Sequence, residues 1–278
     1  MVDAVQRPFL PVPRVATVDE TIDHLMTSGC SFVRFGDGEM TLIKGQSINF
    51  QRYSPELQER LKQVLSSDVP GLDIGIAGAF GDLSKLADFA RRFLQAEMGR
   101  NRRLWLRLLN LNRQYYEAGV TRLYIGRLDV QWARERFERL KSLWAERPVL
   151  VIEGQGTRFG IGNDLLAGAT QVRRIVCPAR HAYDRYPEIL ATAREARGDS
   201  LVLVALGPAA KPLTYDLHLE GARVLDVGHL DVEYEWLLRE AKTKIPIPGK
   251  HVNEARDGHE YGEIDSPEYQ SQIVANLS

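Results

Sequence analysis

From Arg122 onward, short apolar runs of strand length alternate regularly with longer segments whose apolar residues have helical spacing. Alternating strands and helices are typical of βαβ units, in which the strands lie parallel in one sheet. The sequence therefore predicts an α/β fold. The predicted strands are Leu123 to Gly126, Val149 to Ile152, Arg174 to Cys177, Leu201 to Leu206 and Arg223 to Val227. The predicted helices are Gln131 to Glu146, Tyr186 to Glu195 and Val232 to Lys242, with a short helix near Asp164.

The N-terminal half shows the same kinds of element. Thr17 and Glu20 form a capping-box pattern that begins a helix ending near Gly29. Strands are predicted for Ser31 to Phe35 and Leu72 to Ala79, an amphipathic helix for Leu83 to Leu94, and a second helix for Arg103 to Glu117.

Composition fits a protein with a large buried core and no strong charge bias. The chain has 278 residues, of which 44% are hydrophobic, and its formal net charge is -1. This charge gives no general attraction to nucleic acid, and no apolar run approaches the roughly 20 residues of a membrane-spanning helix. Cys30 and Cys177 lie in strand-like runs, so we expect two buried, reduced thiols and a cytoplasmic location. The N-terminus lacks the apolar core of a signal peptide.

Pattern and composition together suggest a single domain with two flanking segments. We predict an extended N-terminal segment at 1–16, one domain at 17–245 and an irregular tail at 246–278, where Pro246, Pro248 and many polar residues follow the last periodic segment. The sequence does not determine the oligomeric state, and a homo-oligomer is compatible with it.

An acidic loop follows the first long strand and has the sequence Gly36-Asp37-Gly38-Glu39. Asp37 and Glu39 can offer oxygen ligands to Mg²⁺ or Mn²⁺ and leave positions for diphosphate oxygens. A metal there would neutralise charge on a departing nucleoside diphosphate. The alternative is a turn in which Asp37 bonds nearby backbone amides.

A second acidic string follows the last predicted strand, from Asp226 to Trp236. His229, Asp231 and Glu233 alternate by two, so they would share one side of an extended chain. They could hold a general base for an acceptor hydroxyl or complete a metal shell. The alternative for the two acids is capping of a helix N-terminus. Ligands of open α/β sheets bind at strand carboxyl ends, so we expect one site assembled from both acidic strings.

The glycine-rich segment from Gly154 to Asp164 separates a strand from a predicted helix, a setting that suits phosphate binding. The dinucleotide fingerprint is broken, because Phe159 stands where the third glycine belongs, and an NAD-dependent enzyme is disfavoured. Arg158 could grip a diphosphate or form a structural ion pair. Asn163 and Asp164 could cap the short helix.

Lys211 follows the strand that ends at Leu206. A lysine at this end of a sheet could meet a phosphate, and an exposed lysine on the next helix is the alternative. Seven arginines between Arg91 and Arg113 form a basic stretch that could approach an anionic, lipid-linked acceptor. A solvated face paired with acids is the alternative for this stretch.

The two acidic strings, the segment Val151 to Leu166, and the stretches Arg174 to Pro178, Ala205 to Lys211 and Gly249 to Glu254 together resemble bacterial GT-D-type glycosyltransferases. The resemblance runs from about Thr17 to Glu254. It implies a Rossmann-like sheet, a divalent metal (Mn²⁺ or Mg²⁺) held at Asp37 and Glu39, and a nucleotide-sugar donor. The implied donor contacts are Gly36, Asp37, Arg158, Asn163, Asp164 and Lys211, and the implied catalytic residues are His229, Asp231 and Glu233.

The expected reaction moves a hexose or deoxyhexose from a UDP- or dTDP-sugar to a hydroxyl of a glycan, glycoprotein or lipid-linked glycan. His181 stands where the family usually has Asn, and Ala209 where it usually has Thr, so the resemblance specifies the donor side more closely than the acceptor side. A nucleotide-sugar hydrolase and a non-catalytic nucleotide-sugar-binding protein remain alternatives on the same fold. Besides a cytoplasmic location, the sequence is also compatible with peripheral association at the inner face of the membrane.

Overall fold

The computed structural model describes residues 10–262 and 266–278. Within these ranges nine strands form one parallel sheet in the order β1-β4-β3-β2-β8-β7-β5-β6-β9, which confirms the predicted α/β class and parallel sheet. The strands are β1 Arg14–Val15, β2 Ser31–Phe35, β3 Leu72–Ile76, β4 Gln114–Glu117, β5 Pro148–Gly154, β6 Gln171–Cys177, β7 Leu201–Ala205, β8 Val224–Asp226 and β9 Ile273–Asn276.

Helices flank the sheet on both faces. They are α1 Val18–Ser28, α2 Asp37–Ile43, α3 Pro55–Ser66, α4 Asp88–Leu108, α5 Val130–Lys141, α6 Tyr186–Arg197, α7 Ala210–Leu219, α8 Leu230–Leu238 and α9 Pro267–Gln272. The capping box at α1 is as predicted, since Thr17 and Glu20 exchange side-chain to backbone hydrogen bonds. Gly29 ends this helix at φ +70°, a conformation that favours glycine.

Alternate residues of each strand face two separate apolar layers. Val33 and Phe35 of β2 point to the layer formed with α2, α3, α4, α6 and α7. Phe32 points to the other layer, formed with α1, α5 and α8. Burial on both faces explains why the strands are nearly continuous apolar runs.

Three predicted elements are wrong. The segment predicted as a helix from Arg103 to Glu117 divides into the end of α4 and strand β4. The predicted strand from Leu123 to Gly126 has no strand pairing, because its amides at Tyr124 and Ile125 bond the Glu233 carboxylate. The predicted short helix near Asp164 is a series of turns.

The prediction of an irregular tail at 246–278 is wrong for its last residues. Ser266 caps α9, and β9 then extends the sheet beside β6. Local sequence did not reveal this strand because its hydrogen bonds come from a partner about 100 residues earlier in the chain. At the other end, Arg14–Val15 pairs with β4, so the described part of the predicted extended segment joins the sheet. Residues 1–9 of that segment lie outside the described residues.

Only one of the two cysteines matches the expected burial. Cys177 is buried in β6, whereas Cys30 is partly exposed just before β2. Across the described part of the chain, every helix is too short or too polar to span a bilayer.

Candidate active site

The direction of the chain reverses between the neighbouring strands β2 and β8. From β2 the chain continues to β3 on one side, and from β8 it continues through α8 toward β9 at the far edge on the other side. Loops that leave in opposite directions open a crevice beyond the carboxyl ends of the two strands, where open α/β sheets bind ligands. Both acidic strings begin at this position, as the sequence predicted.

The Gly36–Glu39 loop passes directly from β2 into α2. The Glu39 carboxylate accepts a hydrogen bond from the Gly36 amide at 2.8 Å and is buried, whereas Asp37 is exposed. Protein atoms around Asp37 still displace enough water to raise the pKa of its carboxyl group, and the charges of Glu39 and Glu97 raise that pKa further. Asp37 is thus the carboxylate of this loop that a ligand can reach.

Lys211, predicted to meet a phosphate, lies buried below this loop. Its ammonium group is 3.0 Å from Glu39 Oε1 and 3.1 Å from Asp226 Oδ2, and it donates to the Gly207 carbonyl. Asp226 also accepts from Arg34 at 3.0 Å. Burial alone would raise the pKa of Asp226, but Arg34 and Lys211 outweigh it and the pKa is lowered. Lys211 therefore joins the two acidic strings from beneath and does not face the crevice.

Arg122 is a cation whose charge reaches Asp37, and sequence reasoning missed it. It interacts electrostatically with the Asp37 carboxylate, and its side chain is 37% exposed. Arg122 also donates to His229 Nδ1 at 3.1 Å and pairs with Glu254. The segment around it was predicted as a strand, which concealed its position. Its sequence signal was a lone arginine before an apolar run.

His229 lies between Arg122 and Glu254, and its side chain is 27% exposed. Its Nε2 is 3.3 Å from Glu254 Oε1. Burial and the positive charge of Arg122 lower the pKa of His229 to about 3, so the ring is neutral at pH 7. Of the three predicted catalytic residues, His229 is the one that lies open to the crevice.

Glu233 has a supporting position in the structure. It is 1% exposed, and its Oε2 accepts from the amides of Tyr124 and Ile125 at 2.9 and 2.8 Å. Burial raises the pKa of Glu233. The carboxylate thus fixes the loop that carries Arg122, and it has no route to an acceptor hydroxyl in this structure.

Asp231 lies in a second buried cluster, on the face of α8 that meets the tail. It is 1% exposed, lies 2.7 Å from Lys250 Nζ, and accepts from the Gly160 amide and from Asn163 Nδ2, both at 2.8 Å. Because α8 has already begun at Leu230, Asp231 and Glu235 share a face, and both pair with Lys250. Asp231 therefore anchors the tail and the glycine loop.

Arg158 belongs to this second cluster too. It is buried and donates to the carbonyls of Gly249, Tyr261 and Gly262. The glycine loop is closed as well, since a Cβ on Gly156 would lie 2.7 Å from the Tyr261 ring. The Arg158 guanidinium, which was predicted to bind a diphosphate, is instead hydrogen-bonded to backbone carbonyls of the tail.

Asn163 and Asp164 complete the contacts of the glycine loop with the α5–α8 layer. Asn163 Nδ2 donates to Asp231 and Glu235 at 2.8 Å, while Asp164 bonds Tyr234 and Lys141. The predicted site residues thus fall into two groups. Gly36, Asp37, Glu39, Lys211, His229 and Glu233 gather around the β2–β8 crevice. In the second group, Arg158 and Asp231 hold the tail, and Asn163 and Asp164 hold the glycine loop against α5 and α8.

A comparison of the chain with known protein families decides its classification. The model of the glycosyltransferase GT-D fold matches residues 32–255. The chain belongs to the GT-D glycosyltransferase family. This confirms the resemblance seen in the sequence, and the family match includes both acidic strings and the segment that carries Arg122.

Two curated relatives come from streptococci. The chain is 38% identical over 284 residues to a probable glycosyl transferase, Gly, of Streptococcus gordonii, an alignment that covers 100% of the chain and 42% of the relative. It is 36% identical over 276 residues to the glycosyltransferase GlyD of Streptococcus pneumoniae, covering 99% of the chain and 34% of that protein. The chain thus spans less than half the length of either relative.

Solved structures support the same fold. A new glycosyltransferase from Streptococcus sanguinis superimposes with a TM-score of 0.91 at 36% identity, over 96% of the chain and 100% of that structure. A structure of domain of unknown function 1792, described as a distinct glycosyltransferase fold, gives a TM-score of 0.94 at 33% identity, over 99% of the chain and 100% of that structure.

Proposed function

We propose that this GT-D chain transfers a hexose or deoxyhexose from a UDP- or dTDP-sugar to an acceptor hydroxyl, with a divalent metal bound at Asp37. The observation that carries the proposal is the exposed Asp37 carboxylate at the β2–β8 crevice, with the partly exposed Arg122 close enough for the two charges to interact. A carboxylate that can hold a metal and a guanidinium that can bind phosphate oxygens are the two groups that a nucleoside diphosphate requires.

The carboxylates at the crevice fit a metal ion that takes its remaining ligands from the bound donor and from water. Asp37 and Glu39 have no third His, Cys, Asp or Glu ligand atom close enough to complete a triad within the described residues. Glu39 is already engaged by Lys211 and by the Gly36 amide. Mg²⁺ commonly takes one or two protein carboxylates and fills its remaining positions with water and phosphate oxygens. When bound, such an ion neutralises charge on the departing diphosphate.

This arrangement separates the roles of the two acids in the Asp37-Gly38-Glu39 motif. We assign Asp37 to the metal and Glu39 to the shape of the loop, because Glu39 caps α2 through the Gly36 amide and is neutralised by Lys211. The buried Lys211–Asp226–Arg34 chain then fixes the position of β2 relative to β8. Asp37 is held in place by groups that do not themselves contact the donor.

His229 is assigned a positioning role. With its pKa near 3, it is a weak base at neutral pH. Its contacts with Arg122 and Glu254 orient the guanidinium toward the crevice. Asp231 and Glu233, both 1% exposed, are not proposed as the base in this conformation.

The acceptor is proposed to approach over α4. The buried face of this helix carries Glu97, whose charge reaches Asp37, so α4 borders the crevice. Its exposed face carries Phe89 and Phe93, which are 55% and 50% exposed, together with Arg92 and Arg100. The helix sequence has six arginines and two acids in a chain of net charge -1. Aromatic rings beside arginines suit an anionic lipid-linked glycan at the inner face of a membrane.

A thermal-shift screen tests the donor assignment. UDP or dTDP should raise Tm more with Mn²⁺ than without it, since a ligand at about 100 times its Kd adds about 2.7 kcal/mol of stability. A screen in which NAD⁺ shifts Tm and nucleoside diphosphates do not would contradict the proposal. Turnover separates the alternatives: a hydrolase releases UDP at full rate without an acceptor, and a binding protein releases none.

A further inference from the structure

A second group of metal-ligating side chains lies at the opposite end of the sheet from Asp37. His24 is on α1, Cys30 directly precedes β2, and Asp73 is in β3. One ligand atom from each residue lies within 4.8 Å of the others, and His24 Nε2 is 2.8 Å from Asp73 Oδ2. All three side chains are partly exposed, so an ion from solvent can reach them.

The backbone of the sheet brings these residues together. Asp73 is the register partner of Phe32, and Cys30 precedes Phe32 by two residues, so the side chains of Cys30 and Asp73 share one face of the sheet. Helix α1 packs on this face through Ile22 and Leu25. The cluster therefore depends on rigid elements, which is where a binding site is held most accurately.

The His24 ring has a fixed orientation. It stacks on the Tyr116 ring with centroids 4.4 Å apart and an interplanar angle of 21°, while Asp73 bonds its Nε2. A ring held in this way keeps its nitrogen directed at Asp73. The 2.8 Å between His24 Nε2 and Asp73 Oδ2 needs to widen only slightly to admit an ion, because zinc lies about 2.0–2.2 Å from nitrogen and oxygen ligands.

We propose that His24, Cys30 and Asp73 bind Zn²⁺, with a water molecule in the fourth position. One imidazole, one thiolate and one carboxylate form a donor set that suits zinc, whereas Mg²⁺ and Ca²⁺ prefer oxygen alone. The ion would fasten α1 to the first residues of β2 and β3. It lies at the amino ends of the strands, away from the donor crevice, and so does not depend on the proposed glycosyl transfer.

Calorimetric titration with Zn²⁺ and absorption spectroscopy with Co²⁺ test this site. The Asp37→Asn variant is the background for every measurement, because it removes the carboxylate proposed to bind metal in the crevice. In this background we expect one Zn²⁺ per chain and a sulfur-to-cobalt charge-transfer band. Adding Cys30→Ser should abolish the band and weaken Zn²⁺ binding by more than about 100-fold. Losing a residue that only hydrogen-bonds to a metal ligand already weakens metal binding by up to about 100-fold, and losing a ligand itself should cost more.

Cys177→Ser is the matched control, because Cys177 is the other cysteine of the chain and is buried in β6. It should leave the cobalt band unchanged. His24→Gln provides a second ligand deletion if Cys30→Ser does not fold, since its amide can still donate to Asp73. Zinc affinity that survives both ligand deletions, or a cobalt spectrum without the sulfur band in the Asp37→Asn background, would overturn the site. Either result leaves the donor assignment untouched.

Discussion

Lys211 Nζ lies 3.0 Å from Glu39 Oε1, and this buried ion pair joins the first acidic string of the chain to helix α7. Lys211 also pairs with Asp226 at 3.1 Å. Two carboxylates that would repel each other are therefore held on either side of one ammonium group. The pair explains why, of the two acids in the motif, Asp37 is the one left accessible.

The first prediction distinguishes Asp37 from Glu39. Asp37→Asn should abolish the gain in UDP or dTDP affinity that Mn²⁺ provides, since a neutral amide is a poorer ligand for a hard cation. Glu39→Gln should retain part of that gain and instead lower the free energy of unfolding by roughly 1–3 kcal/mol, through the weakened contact with Lys211. Calorimetry with and without Mn²⁺, together with urea unfolding, measures both effects. Equal loss of the Mn²⁺ effect in two well-folded variants would make Glu39 a direct metal ligand.

The second prediction compares two arginines. Arg122→Lys should weaken donor binding by roughly 10–100-fold, because an ammonium group cannot reproduce the bidentate contact of a guanidinium. Arg158→Lys should leave donor affinity within about twofold of the unmodified protein, because Arg158 is occupied by tail carbonyls. Isothermal calorimetry with UDP or dTDP in the presence of Mn²⁺ provides the measurement. The reverse ranking would move the diphosphate to the glycine loop.

The third prediction concerns Asp231. Asp231→Asn should lower the free energy of unfolding by roughly 1–3 kcal/mol, because Lys250 loses one of its two carboxylate partners. Donor affinity should not change at temperatures where the variant is folded. Glu235→Gln is the matched control, since Glu235 is the other partner of Lys250. If Asp231→Asn alone reduced turnover by about 10²-fold or more without loss of stability, Asp231 would be the general base.

The fourth prediction is a pH dependence of folding that comes from His229. Its pKa is about 3 in the folded chain and 6.5 when unperturbed, so the unfolded chain binds the extra proton between these values. The stabilisation is complete above pH 6.5 and is lost as the pH falls toward 3. The slope contributed by His229 should approach about 1.4 kcal/mol per pH unit. Urea unfolding from pH 7 to pH 4 should show a shallower decline for His229→Gln, and identical slopes would contradict a His229 ring that stays neutral in the folded chain.

The fifth prediction concerns the exposed face of α4. Arg92→Glu with Arg100→Glu should weaken binding to vesicles containing anionic lipid by more than about 30-fold, since each basic residue near such a surface contributes about 1 kcal/mol. Arg134→Glu with Arg194→Glu makes the same change in net charge on α5 and α6 and is the control. Co-sedimentation with neutral and anionic vesicles measures the effect. Similar loss in both double variants, or no binding by the unmodified protein, would remove the membrane from the acceptor proposal.

The sequence by itself determined the class of the fold and indicated the edge of the sheet where the candidate site lies. The apolar runs at β5, β6, β7 and β8 are buried on both faces, so strand type and parallel pairing followed from pattern alone. Acidic strings directly after β2 and β8 indicated the ligand-binding edge, because the carboxyl ends of parallel strands meet there. The strand β9 was not predictable in this way, since its pairing with β6 is a contact between distant parts of the chain.

Only the tertiary structure decided which charged residues are accessible. Asp37 and Asp231 each stand two residues before a glutamate in the sequence, yet Asp37 is exposed and Asp231 is 1% exposed beside Lys250. Arg158, predicted to bind a diphosphate, is covered by the tail, whereas Arg122, which the sequence did not single out, lies on a loop that the Glu233 carboxylate fixes. A local pattern specifies which groups lie near a strand end. Long-range packing determines which of those groups are neutralised by partners, and that balance of burial and charge leaves Asp37 and Arg122 facing the crevice.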